Sequence, residues 1–268
     1  MQVVRPFLSS LCVCFLSFPA GSQQASSASA IAPQRDAQAV ILLQQSVAAM
    51  ASVSPTDSRA TGEITVTAGS ETTQGTVTIL TRGFAETSIQ VQTSDNPWTI
   101  VFANGEANKV EPSNTTIYSL ELAASSQCLY FPLPYLYSIL ANSDYSIQYI
   151  GQDTLASSTT YHIVVQNTFN SSPAYQFLSP FTTADIWFDA ATALPVKIGM
   201  VHRNGGGSAP RIPFSVVYSN YQTVSGVRYP FTIQEYVTET LWATASIQSV
   251  IFNSGLTDSA FSVSERGN

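Results

Sequence analysis

From Thr61 to Phe252 the chain alternates apolar and polar residues with a period of two, segment after segment. Ile64, Val66 and Ala68 interleave with Glu63, Thr65 and Thr67, and the pattern returns at 75–79, 88–93 and 98–102. It resumes at 145–149, 160–166, 185–189, 194–203, 214–221, 229–238 and 241–252. Side chains of a strand point to opposite faces in turn, so alternation marks strands buried on one side. Turn chemistry separates them at Gly69-Ser70-Glu71, Asn104-Gly105, Gly151-Gln152-Asp153, Asn204-Gly205-Gly206-Gly207 and Ser225-Gly226. Asn-Gly is the strongest of these, because a type I′ hairpin turn needs positive φ at both central residues. No helix recurs between strands in the rhythm of a parallel sheet. The expectation is about 10–11 antiparallel strands, the first four pairing as a meander.

Two segments break the alternation. Val40, Leu43, Val47 and Met50 recur at helical spacing after Asp36, which can cap a helix start, and the pattern runs out near Ala51, ahead of Ser54-Pro55. Residues 129–140 (LYFPLPYLYSIL) are apolar and aromatic, and Pro132 and Pro134 exclude a central strand. Pro134 suits the first turn of a short helix carrying Tyr135, Leu136, Ile139 and Leu140. A strongly curved sheet needs its concave side covered by helices or filled by a ligand. Two helical segments for eleven strands leave room for an apolar guest.

The first 30 residues read as an export signal. Arg5 precedes an apolar run at 7–18, too short for the roughly 20 residues that cross a bilayer, and small residues follow at Ala20-Gly21-Ser22 and Ala28-Ser29-Ala30. Residues 31–268 then form the expected mature chain, a single domain without a transmembrane span. Cys12 and Cys14 leave with the signal, so Cys128 stands alone, without a disulfide partner, as a small buried hydrophobe. A net charge of −7, from 17 acidic against 10 basic residues, argues against nucleic acid as a partner. Asn114-Thr115-Thr116 and Asn170-Ser171-Ser172 fit a glycosylation sequon that matters only in a eukaryotic secretory host.

Catalytic chemistry is sparse. No nucleophile elbow, zinc motif or phosphate loop occurs, and Gly205-Gly206-Gly207 has no following lysine. His162 and His202 lie on strands and read as hydrogen-bonded or solvated residues. Asp185 and Asp189 share a strand face about 13 Å apart, beyond the reach of a glycosidase pair, and Asp189 suits a turn. The expectation is no enzyme, no metal and no cofactor.

Several stretches resemble the LolA-like family of periplasmic lipoprotein carriers and lipid-binding proteins. They are the amphipathic helix 36–51; Asp185-Ile186-Trp187-Phe188-Asp189 followed by Thr192 and Leu194-Pro195-Val196-Lys197; Tyr218-Ser219-Asn220-Tyr221-Gln222 leading through Gly226-Val227 to Tyr229-Pro230-Phe231; and the close from Phe252-Asn253 to Phe261. The resemblance implies a half-barrel sheet with an N-terminal helix and a short lid helix over its concave, apolar side. It also implies a periplasmic monomer that binds a lipid or an acylated lipoprotein, with a transient envelope partner. Val77, Ile79, Ile89, Val91, Trp98, Ile100 and Phe102 are the candidate wall of that cavity, and Tyr130, Phe131, Tyr135, Leu136 and Ile139 the candidate lid. The alternative is an envelope structural or sensor protein with a packed core and no cargo. Pro195, Pro213 and Pro230, with no aromatic-ended strand at 264–268, argue against an outer-membrane barrel.

Overall fold

The computed structural model describes residues 33–94, 96–126, 129–202 and 210–263. The export segment, Cys128 and the Gly205-Gly206-Gly207 loop lie outside the described residues.

Helix α1 (Ala37–Met50) begins where the sequence expects it. The Asp36 carboxylate accepts from the amides of Gln38 and Ala39, and the helix closes at Ala51. Six strands follow: β1 (Asp57–Ala68), β2 (Glu71–Arg82), β3 (Glu86–Thr93), β4 (Trp98–Ala103), β5 (Glu106–Glu111) and β6 (Asn114–Ile117). Helices α2 (Leu120–Ser126) and α3 (Pro132–Ala141) come next. The second run comprises β7 (Tyr145–Leu155), β8 (Ser158–Asn167), β9 (Ala184–Asp189), β10 (Pro195–His202), β11 (Ile212–Val224), β12 (Val227–Val237) and β13 (Thr240–Phe252). Short 3-10 segments occupy Pro173–Phe181 and Asp258–Phe261.

The 13 strands of the described residues form one antiparallel sheet, ordered β6-β5-β4-β3-β2-β1-β13-β12-β11-β10-β9-β8-β7. Two meanders meet where β1 pairs with β13, and β6 and β7 are the open edges. The chain between those edges carries α2 and α3, so the topology itself lays both helices across the sheet. Curvature follows from side chains far apart in strand order. Trp98 on β4 and Trp242 on β13 are four strand steps apart, roughly 19 Å in a flat sheet, yet their ring centroids lie 6.3 Å apart.

The concave face carries a ladder of apolar pairs: Val77 opposite Val91, Ile79 opposite Ile89, Ile89 opposite Ile100, and Val91 opposite Trp98. Their alternates Leu80 and Val101 form a small cluster with Phe261 on the other face. Arg82 holds that cover in place, bonding Glu86 and Asp258 and placing its guanidinium 5.2 Å from the Phe261 ring centroid. Asp57 fastens the same end: its carboxylate accepts from the amides of Ser254, Gly255 and Leu256 and from the Ser254 hydroxyl.

Two details depart from the sequence expectation, and a third sharpens it. Strands β5 and β6 raise the count to 13, because the Asn104-Gly105 turn (φ 54° and 79°) delivers a polar segment against β4. The 151–153 segment is not a turn: β7 runs through it with a register shift at Gly151 (φ 148°), and the reversal comes at Ala156-Ser157. Helix α3 starts at Pro132, which puts Pro134 in the first turn as the sequence suggests and accommodates both prolines there.

Helices α1 and α3 plug one end of the concavity. Phe131 stacks on Tyr229 at 4.8 Å and Tyr135 on Phe84 at 5.4 Å. Arg35 donates to the carbonyls of Leu140 and Asn142 and so caps the end of α3. Residues 34–36 also pair with Ile147, covering part of the β7 edge. No helix among the described residues is long and apolar enough to cross a membrane.

Candidate functional site

The other end of the concave side is not filled. A cavity of about 230 Å³ opens there between the two arms of the sheet. Ile89, Ile100 and Phe102 form one wall, and His202, Phe214, Glu235, Val237 and Trp242 the opposite one. Tyr118, Leu122 of α2, and Leu129-Tyr130 cross between them. The Tyr218 hydroxyl donates to the Leu129 carbonyl and holds that crossing segment to β11. An apolar void of about 150 Å³ is enough to stay dry and take up benzene, so this one has room for part of a hydrocarbon chain. Leu120 and Ala124, also on α2, border a second cavity of about 420 Å³ with Phe84, the Asn104-Gly105 turn, Tyr145 and Tyr175. The seven-residue helix α2 therefore has a cavity on each side.

Of the wall and lid residues expected from sequence, Ile89, Ile100, Phe102 and Tyr130 meet at the first cavity. Trp98 stands behind it against Trp242. Val77, Ile79, Val91, Phe131, Leu136 and Ile139 are wholly buried in the packed core and border neither cavity. Tyr135 sits between Phe84 and Tyr145, beside a gap of only about 10 Å³.

An acid and a histidine in the cavity wall were not singled out from sequence as cavity groups. Glu235 follows Phe231 and Ile233 in the inward phase of β12, is only 4% exposed, and burial pushes its carboxyl up to about 8. Its Oε1 has no hydrogen-bond partner among the described residues. The pairing of β12 with β13 slips beside it: Glu235 faces Ala243 and Tyr236 faces Leu241, leaving Trp242 as the extra residue. Bulges of this kind re-aim side chains, and Trp242 and Glu235 both line the cavity. His202 stacks on Phe214 at 4.4 Å, and burial holds its imidazole down at about 4, so the ring is neutral at ordinary pH. None of the described lining residues is a lysine or arginine. The sequence signal for Glu235 was an acid where alternation demands an apolar residue.

The remaining polar candidates lie elsewhere. His162 pairs with Asp185 at 2.7 Å and stacks on Trp187 at 4.3 Å. Asp189 accepts from the amides of Ala191 and Thr192 and from the Thr192 hydroxyl, as a turn residue does. Neither aspartate borders the apolar cavity. Among the described residues no three His, Cys, Asp or Glu side chains gather as metal ligands do.

No protein-family model matches the chain, and no curated protein matches it in sequence. Solved structures do match its fold. A domain assigned as an outer membrane lipoprotein-sorting protein from Vibrio parahaemolyticus aligns over 84% of this chain and 96% of its own, with TM-score 0.53 and 10% identity. A LolA superfamily protein from Nitrosomonas europaea aligns over 84% and 97%, with TM-score 0.52 and 15% identity. A DUF1329 family protein from Desulfovibrio piger gives 84% and 96%, TM-score 0.53 and 10% identity. The chain has the LolA-like fold, shared at identities that carry the architecture and not the activity.

Proposed function

We propose that this protein is an exported periplasmic binding protein that takes the apolar part of a lipid, or the acyl chains of a lipoprotein, into the concave side of its sheet, as carrier or sensor. The observation that carries this reading is the apolar cavity left between β3–β4 and β10–β13 beside α2. Each methylene moved there from water gains about 0.8 kcal/mol, and most of the wall asks of a ligand only shape and low polarity. Displacing α2 would join the cavities on its two sides, which gives a longer chain a route inward. The 1–30 signal, the single mature domain 31–268 and action as a monomer without cofactor belong to the same proposal, as do an acylated lipoprotein and a transient envelope partner.

The dense packing under α1 and α3 favours a second reading, an envelope structural or sensor protein with no cargo. One experiment separates the two. The mature chain is purified, extracted for lipid mass spectrometry, and titrated with a fluorescent lipid probe. Co-purifying acyl lipid and saturable, displaceable probe uptake support the binding reading. A lipid-free protein that takes up no probe supports the cargo-free one.

A further inference from the structure

An unpartnered carboxyl inside an apolar wall is costly. Removing such a group from water without a new hydrogen bond is unfavourable, and a leucine at the same inward position would avoid that cost. Glu235 nevertheless occupies it, 4% exposed, with Oε1 unpartnered among the described residues and a register shift beside it that brings Trp242 to the same cavity. Burial favours its protonated form at neutral pH. A second anion placed there would find no lysine or arginine among the described residues of the lining, and would have to shed its own hydration. A hydroxyl or amide N–H would instead hydrogen-bond to the carboxyl, while the rest of a chain lay against Ile89, Ile100, Phe102 and Phe214.

We infer that the ligand selected by this cavity is an apolar chain bearing a neutral hydrogen-bond donor, a hydroxyl or an amide N–H, which bonds to the Glu235 carboxyl, in preference to a free fatty-acid carboxylate. The inference rests on the binding function proposed above and sharpens it from any greasy chain to one class. Glu235 is the group that recognises the polar end, and the aromatic and aliphatic walls hold the hydrocarbon.

The test is calorimetric titration of the purified mature protein at pH 7 with 1-octanol, octanamide and octanoate. The wild type is compared with Glu235→Leu and Glu235→Gln. Octanol and octanamide should bind the wild type at least about tenfold more tightly than octanoate. Glu235→Leu should weaken octanol and octanamide about fivefold to tenfold, the worth of one buried hydrogen bond. Glu235→Gln, which keeps an acceptor oxygen, should stay within about threefold of wild type. The wild-type ranking and an infrared shift of the protonated carboxyl band on adding octanamide need no variant, so they hold the inference to account even if Glu235→Leu fails to fold. Equal affinity for all three ligands, or an unchanged octanamide affinity in Glu235→Leu, overturns the inference and leaves apolar binding standing. No binding by any of the three overturns both.

Discussion

The two ends of the concave side are finished differently. Beneath α1 and α3, side chains from both helices interlock with the sheet: Leu136 and Ile139 are fully buried, Phe131 stacks on Tyr229, and Arg35 caps the end of α3. Around α2 the wall is equally apolar, but a short helix stands between two cavities and one carboxyl oxygen is buried without a partner among the described residues. The same curved sheet thus supports a region where packing supplies stability and a region where packing was left incomplete. The difference separates residues that hold the fold from residues free to serve a ligand.

The largest expected effect tests the packed end. Leu136→Ala should cost about 2–5 kcal/mol in urea unfolding, the range for emptying a tightly filled site. Leu122→Ala, beside the cavity, should cost about 1 kcal/mol or less while altering probe uptake, because its neighbours are already missing on one side. Equal costs at the two positions would erase the contrast between the regions.

Next in size is Asp57. Burial alone would raise its carboxyl, but the bonds from Ser254, Gly255 and Leu256 prevail and lower it. Asp57→Ala should lose roughly 1–3 kcal/mol at pH 7 by orphaning those amides. A carboxylate lowered on folding stabilises above its unfolded value and loses that contribution as pH falls. Wild type and variant should therefore converge in acid denaturation below pH 4, and a gap that persists there would contradict the assignment.

Glu235 has the opposite sign. Its folded value near 8 exceeds the ordinary 4.5, so the native state binds more protons and stability falls as pH rises between the two. Glu235→Leu should be more stable than wild type by about 1–3 kcal/mol at pH 9, with the gap narrowing toward pH 4. His202, in the same cavity, works against this: held down at about 4, it favours the native state above its unfolded value and withdraws that support as pH falls from 6.5 to 4. His202→Phe should remove this smaller acid-side slope in thermal melts, and an unchanged slope would show that another group carries it.

The features legible in the sequence were local ones. Asp36 and the spacing of Val40, Leu43, Val47 and Met50 located α1 because a cap and a helical period act within a few residues. Strand β9 alternates buried and half-buried along its whole length, and Ser225-Gly226 turns with both φ values positive. Strands β5 and β6 are not legible in the alternation because strands at or next to a sheet edge bury little: of Glu106–Glu111 only Ala107 is fully buried. The meeting of β1 with β13 is a long-range pairing that no turn announces. The sequence likewise could not divide the apolar residues into wall and core. Val77 and Ile89 alternate in the same way, and only the placement of α2 leaves one of them facing a cavity. Glu235 was within reach, as the acid that interrupts Phe231-x-Ile233-x on the buried face, but it counted simply as strand.

The central claim is that an apolar chain enters between the arms of the sheet at the α2 end. A crystal structure of the mature protein soaked with 1-bromooctane tests it directly, since bromine marks its own position by anomalous scattering. The account predicts a bromine peak enclosed by Ile89, Ile100, Phe102 and Trp242. Bromine found only on the outer face of the sheet, or nowhere in ordered form, would contradict it.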